Sequence, residues 1–330
     1  MEIQKLHKNR PKTNRKTLFS EFGILVAFIL LTIFFTILNP KFASITNILN
    51  MGRQISTIGI IAIGMTFLII GGNFDLSVGS MFALVSTISA VMMVNGVSVI
   101  LALLLGVLLG GLLGLVNGVL STFGRIPSFV VGLGMLNVYR GAQLLITGAY
   151  PVVVGWVVDD PGIELFAFLG KGKLFGVIPM QLVLLLILWG IGYFILTKTV
   201  FGVWTFAVGG SPQAAKIAGI SIGWVQTFGF VITGVLVAVS SLLQLSFIGS
   251  VSGQVGTGYE LDCIAAVIIG GTKLDGGEGT LIGTFIGAAV MGAMRNGLVL
   301  LNVSAFWQTL IIGLVIILAV AIDKWTKKTN

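Results

Sequence analysis

Long apolar runs alternate with short polar interruptions along nearly the whole chain. A helix that crosses a bilayer needs about 20 apolar residues, and shorter ones persist when buried among neighbours. The pattern predicts ten such segments, at 22–38, 55–70, 76–94, 97–120, 127–146, 179–196, 225–245, 261–271, 281–301 and 306–322. The expected fold class is therefore all-α polytopic membrane protein. The run 261–271 is too short to cross alone; it either extends back toward Gly256 or dips in and returns.

Two of the interruptions resemble each other. Ile69-Ile70-Gly71-Gly72-Asn73-Phe74-Asp75 leads through Ser77 to Gly79-Ser80, and Ile268-Ile269-Gly270-Gly271-Thr272-Lys273-Leu274-Asp275 leads through Glu278 to Gly279-Thr280. Each opens a new apolar run. Irregular backbone survives in lipid only where protein or water satisfies it, because each unpaired amide or carbonyl costs several kcal/mol. Paired Gly-broken segments point to a transport path built from an internal repeat. Ordinary turns at a membrane surface are the plainer alternative.

Composition narrows the class. Apolar residues make up 56% of the 330 residues and charged residues 9%, against about 25% charged in soluble proteins. The single His (His7) and single Cys (Cys263) supply no zinc site, disulfide or Cys/His catalytic pair. No Gly-x-x-x-x-Gly-Lys-[Ser/Thr] run occurs, so the chain has no phosphate loop of its own. An enzyme reading and a metal site both lack a constellation. The net charge of +8 is scattered over loops and tails, which excludes a nucleic-acid footprint.

That charge instead reports topology. Residues 1–20 form a basic tail, and the run after it ends at Asn39-Pro40-Lys41 without a small-residue cleavage pattern, so it reads as an uncleaved first span. Ten spans place thirteen Lys/Arg on the side of both termini and four on the other, which makes that side cytoplasmic. The expected organisation is a permease domain over 21–322 with a cytoplasmic tail over 323–330. A cytoplasmic loop covers 197–224, and an external loop with Trp156, Asp159, Asp160 and Glu164 covers 147–178. Gly106, Gly110, Gly114 and Gly118 put four glycines on one helix face, which reads as close helix packing.

Several polar groups carry candidate chemistry. Asp75 is a carboxylate near the membrane and a functional hypothesis by default, but it also precedes the run 76–94 and suits a helix cap. Asn73 and Ser77 flank it. In 127–146, Arg140 and Gln143 share a face, with Asn137 nearby. These six residues are the candidates for a translocation path; for Arg140, pairing with a carbonyl or with Glu260 or Asp262 is the structural alternative. Gly270, Gly271, Asp275 and Glu278 mark the second broken segment.

In the loop 197–224, Ser211 suits an N-cap and Pro212 the first helical position, while Gly219 suits a helix stop. This predicts a surface helix over 212–218 with Ala214 and Ala215 exposed for close contact. Gly209-Gly210-Ser211-Pro212-Gln213-Ala214-Ala215-Lys216-Ile217-Ala218-Gly219-Ile220 resembles the Glu-Ala-Ala-type loop of ABC-importer permeases. Gly-Gly-Asn-Phe-Asp-Leu-Ser-Val-Gly-Ser over 71–80 resembles the signature loop of the ribose-type sugar permeases, and Ile-Pro-Ser-Phe-Val-Val (126–131), Tyr139-Arg140-Gly141 and 269–280 are similar too. Gln213 stands where that family often has Glu, and Val203-Trp204 where a basic residue often sits.

The resemblance implies a bacterial plasma-membrane importer subunit carrying ribose-, xylose- or galactose-like sugars. Its partners would be a second permease copy or homologue, a cytoplasmic ATPase with two fused nucleotide-binding domains, an extracellular sugar-binding protein and membrane lipid. ATP and Mg would be bound by the ATPase, with no cofactor in this chain. Gly210, Ser211, Pro212, Gln213, Ala214, Ala215 and Gly219 would couple to that ATPase. Nucleosides, a furanosyl signalling molecule or branched-chain amino acids are alternative cargoes, and an ion-coupled secondary transporter or a channel subunit is the alternative of another class.

Overall fold

The computed structural model describes residues 15–154 and 159–328; the basic tail before Arg15, with His7, and Trp156 of the external loop lie outside the described residues. Thirteen α-helices are present among them. α1 (Arg15–Leu38) runs through a short 3-10 turn (Pro40–Ala43) into α2 (Ile45–Ile70), followed by α3 (Val78–Val94), α4 (Val99–Thr122) and α5 (Ser128–Thr147). After the short α6 (Ile163–Lys171) come α7 (Met180–Lys198), α8 (Val200–Gly210), α9 (Pro212–Ile217) and α10 (Ile222–Ile248). α11 (Tyr259–Ile269), α12 (Leu281–Leu300) and α13 (Ala305–Lys328) complete the bundle.

α2 is the central helix. Its C-terminal two thirds are buried almost all round, with Ile60, Ile61, Phe67, Ile69 and Ile70 closed off by α7, α10, α11 and α12. A helix apolar on every face belongs inside a larger bundle. It begins ten residues earlier than its apolar run, with a cap and two paired side chains in its first turns. Ser44 caps the Asn47 amide, Asn47 and Asn296 exchange amide hydrogen bonds (2.8 and 3.1 Å), and the Arg53 guanidinium lies 3.7 Å over the Phe247 ring.

The glycine face of α4 packs against α10 as its spacing requires. A Cβ on Gly110 would collide with the Gly234 carbonyl, one on Gly114 with the Phe230 carbonyl, and one on Gly118 would come within 3.0 Å of the Thr227 Cα. Backbone meets backbone along three turns, and close small-residue contact is what holds helices together where both face apolar surroundings.

At one end of the bundle, the described residues of 147–179 are structured rather than an open loop. Val152–Val153 pairs antiparallel with Ser250–Val251, Lys173–Leu174 pairs with Ile178–Pro179, and α6 seats Phe166 and Gly170 against α10 at Ser246. The expected loop 197–224 is also mostly helical. α8 continues almost directly from α7, with the Thr199 hydroxyl accepting the Gly202 amide at its start. Its eleven residues, apolar but for Thr205, pack back onto the bundle through Phe201 and Val208, which an apolar-run count of full spans does not detect.

The helix contact makes one prediction. Overpacking a tight contact costs about 1–3 kcal/mol, so Gly110→Val lowers the thermal midpoint of the detergent-solubilised protein. Gly134→Val on α5, where nothing lies within 4 Å of the added carbon, leaves it unchanged.

Candidate functional site: the broken segments and the surface helix

Residues 71–77 form the first broken segment. α2 stops at Gly71, whose carbonyl accepts from Gln226 Nε2 (3.1 Å), and Gly72 turns the chain at φ +79°. Asp75 is only 1% exposed. Its Oδ1 accepts both the Ser77 amide and the Ser77 hydroxyl at 2.7 Å, and its Oδ2 accepts from Asn117 Nδ2 at 2.8 Å. Asn117 in turn accepts from the Tyr139 hydroxyl (2.8 Å). α3 starts at Val78 with Ser77 as its N-cap, two residues after the expected start at Leu76. Asp75 thus holds the turn that leads into the helix rather than capping it directly. A buried carboxylate needs several donors to be tolerated, and Asp75 has three, all from this chain. Asp75 and Ser77 are buried, and Asn73 is half-buried.

The second piece of irregular backbone in the bundle is 249–258, which precedes α11. Arg140 donates from Nη1 to the carbonyls of Gly253 (2.8 Å) and Val255 (3.0 Å) and to Gln143 Oε1 (2.8 Å), and Nη2 lies 3.4 Å from the Thr257 hydroxyl. Gln143 Nε2 donates to the Ser252 carbonyl (3.0 Å). The carbonyl alternative therefore holds for Arg140. Asp262 pairs with Arg295 instead, at 2.6 Å. Asn137 does not join Arg140 and Gln143; it is exposed, with its amide on the Leu133 carbonyl.

The spatial repeat differs from the sequence repeat. Irregular segment plus short helix occurs twice, as 71–77 with α3 and 249–258 with α11. The two enter from opposite ends of the bundle and cross at Gly79 and Gly256, where a Cβ on either would strike the other's carbonyl. Glu260 lies at the same crossing, its Oε2 against Gly79. The sequence reading missed this residue as part of a site, because only the crossing sets it beside α3. The similar Gly71-Gly72 and Gly270-Gly271 turns instead sit at the same end. There the loop 271–280 is clasped by the Lys273–Glu278 ion pair (2.5 Å), and Asp275 and Glu278 are exposed. Tyr139 and Arg140, adjacent on α5, serve one broken segment each.

α9 stands at that end too. Ser211 Oγ accepts the Ala214 amide (3.3 Å) and Pro212 occupies the first turn. The helix closes at Ala218, one residue before the expected stop. Gly219 at φ +78° donates to the Lys216 carbonyl and Ile220 to the Ala215 carbonyl, both at 3.0 Å, the paired bonds of a Schellman stop. Gln213, Ala214, Lys216 and Ile217 face outward, and Ile217 is 89% exposed. Ala215, expected outside, is buried against Val208 of α8 and Val225 of α10. Its orientation depends on α8, which the sequence reading took as loop.

The family model described as "Branched-chain amino acid transport system / permease component" matches residues 47–320. The chain is similar to the ribose import permease protein RbsC of Bacillus subtilis, at 39% identity over 98% of this chain and 99% of that one. It is 40% identical to the probable ABC transporter permease protein YphD of Escherichia coli over 91% of this chain and 88% of that one. With the xylose transport system permease protein XylH of Escherichia coli it shares 31% identity over 94% and 93% of the respective chains. No solved structure matches the chain.

The hydrogen bonds of Asp75 separate a structural from a solute-binding role. Asp75→Ala leaves three buried donors without an acceptor, at about 1–3 kcal/mol each. We expect it to abolish folded yield or lower the thermal midpoint, and Asp75→Asn to lower the midpoint less. A solute ligand would behave otherwise: Asp75→Asn would cut uptake with the midpoint unmoved.

Proposed function

The chain belongs to the branched-chain amino acid transport system / permease component family, and from that premise we propose which solute it carries and how it is driven. It is a multi-pass, non-catalytic permease subunit of the ABC-importer kind, in which a partner ATPase handles ATP. The proposed cargo is a monosaccharide of the ribose or xylose kind. The support is that relatives aligned almost end to end carry ribose and xylose in their names; this favours a sugar over the branched-chain amino acid of the family description. An external binding protein delivers the sugar, and both termini and α9 lie in the cytoplasm, in keeping with the Lys/Arg bias.

The observation that carries the mechanism is α9, a capped helix of six residues whose outer face ends in a bare Ile217. An aliphatic side chain left open beside Gln213 and Lys216 suits a pocket on a partner, where a central apolar anchor with a polar rim supplies most of the affinity. In this proposal Ile217 seats in the ATPase and Ala214 allows close approach. Gln213, where the family often has Glu, keeps a hydrogen-bonding group there without the charge.

The path lies along a polar strip that lipid would not cover. Gln54, Asn137, Thr257 and Arg295 are exposed, with Arg140 and Glu260 partly so, whereas the open faces of α4 and α7 present only residues such as Leu104, Leu108, Ile187 and Phe194. Polar and ionisable groups within a membrane face protein or a water-filled cavity, so the strip faces a second permease copy across the sugar route. An ion-coupled secondary transporter is disfavoured at Asp75, which is buried with both oxygens occupied.

Ala214→Trp and Ile217→Asp test the docking role. Both leave the folded permease intact and stop its co-purification with the ATPase. Ala215→Trp, by contrast, damages the α8–α10 packing and lowers the thermal midpoint. Sugar uptake at the wild-type rate by both surface variants would remove α9 from the mechanism.

A further inference from the structure

Three glycine pairs from distant parts of the chain meet behind α9. Gly209-Gly210 ends α8 just before Ser211, Gly71-Gly72 opens the first broken segment, and Gly276-Gly277 lies in the loop between α11 and α12. The Gly277 amide donates to the Ile70 carbonyl at 2.8 Å, so a residue of that loop satisfies one of the last carbonyls of the central helix. A Cβ on Gly209 would collide with that same Ile70 carbonyl and come within 2.7 Å of the Gly277 nitrogen. A Cβ on Gly276 would lie 3.1 Å from both the Gly209 carbonyl and Gly72 Cα. Gly72, Gly276 and Gly277 all hold φ between +75° and +83°, which glycine adopts at little cost. Between these strands no side chain intervenes.

Backbone contact of this kind has no rotamers to absorb a displacement, whereas an interface of side chains does. A shift of α9 moves Gly209-Gly210 directly, and these residues touch both the exit of α2 and the loop 271–280. From those two points the chain continues into 71–77 with α3, which carries Gly79 of the crossing, and into α12 and back into α11, which follows Gly256. We propose that Gly72, Gly209, Gly276 and Gly277 form the transmission joint of the transporter. They are positioning residues that transfer a movement of the docked α9 helix to the first broken segment and to the loop 271–280 at once. The proposal rests on the docking role assigned to α9 and adds where its movement goes.

The test compares a methyl inside the joint with one outside it. Gly209→Ala inserts a methyl into the joint without changing the docking face, while Gly190→Ala adds one on α7 where nothing lies within 4 Å. In the reconstituted importer, with permease, ATPase and binding protein together, Gly209→Ala should co-purify with the ATPase and hydrolyse ATP while sugar uptake falls to background. Gly190→Ala should transport like wild type. Uptake at the wild-type rate by Gly209→Ala overturns the joint. Loss of co-purification also overturns it, by making Gly209 part of docking, whereas failure of the α9 surface variants to release the ATPase strikes the docking role alone. Should Gly209→Ala not fold, amide exchange on the unmodified complex decides. Trapping the ATPase with vanadate should change protection in 70–77 and 270–280 together; a change confined to 211–219 overturns the joint.

Discussion

The structure depends on satisfying irregular backbone inside an apolar bundle. Each break in a spanning helix frees amides and carbonyls that lipid cannot pair, and this chain provides its own partners for them. Asp75, Ser77, Asn117 and Gln226 take up the first break, and Arg140 and Gln143 take up the second. α5 links the two, because Tyr139 supports Asn117 while the next residue, Arg140, holds the carbonyls of Gly253 and Val255. A helix that binds both breaks can keep them in register while their ends move. Backbone meets backbone at the crossing of Gly79 with Gly256 and again where Gly209, Gly72 and Gly276 meet behind α9.

Glycine serves the chain in two separate ways. Along α4 it brings two full helices into backbone contact and fixes a static wall. Behind α9 it joins loops, several of them at positive φ, and lets three strands touch without side chains between them. The composition shows 46 glycines without separating these uses; the four-residue spacing of the first group is readable, and the meeting of the second is not.

What the sequence could reveal was local. The polytopic class, the glycine face of α4, the breaks at Gly71-Gly72 and Gly270-Gly271, and a capped helix opening at Pro212 all follow from periodicity and turn chemistry within a few residues. The remaining features are long-range. Asp75 finds Asn117 forty-two positions away, Arg140 meets Val255 at one hundred and fifteen, and Asp262 takes Arg295 at thirty-three. Ala215 was misplaced because α8 was read as loop, and α8 is helical through packing of Phe201 and Val208 onto the bundle. The repeat was misaligned for a similar reason. Two Ile-Ile-Gly-Gly turns look alike as sequence, whereas the segments that pair in space share a shape, irregular chain then short helix.

With the breaks held by the chain's own polar groups, no carboxylate of the first segment is left to carry an ion, in keeping with an importer whose ATP is handled by a partner ATPase. The direct measurement is uptake of labelled ribose or xylose by proteoliposomes holding this chain, its ATPase and its binding protein. Uptake that requires ATP, stops with vanadate and continues when ionophores collapse the proton and sodium gradients is the expected result. Uptake by the permease alone, driven by either gradient and indifferent to vanadate, would contradict the account.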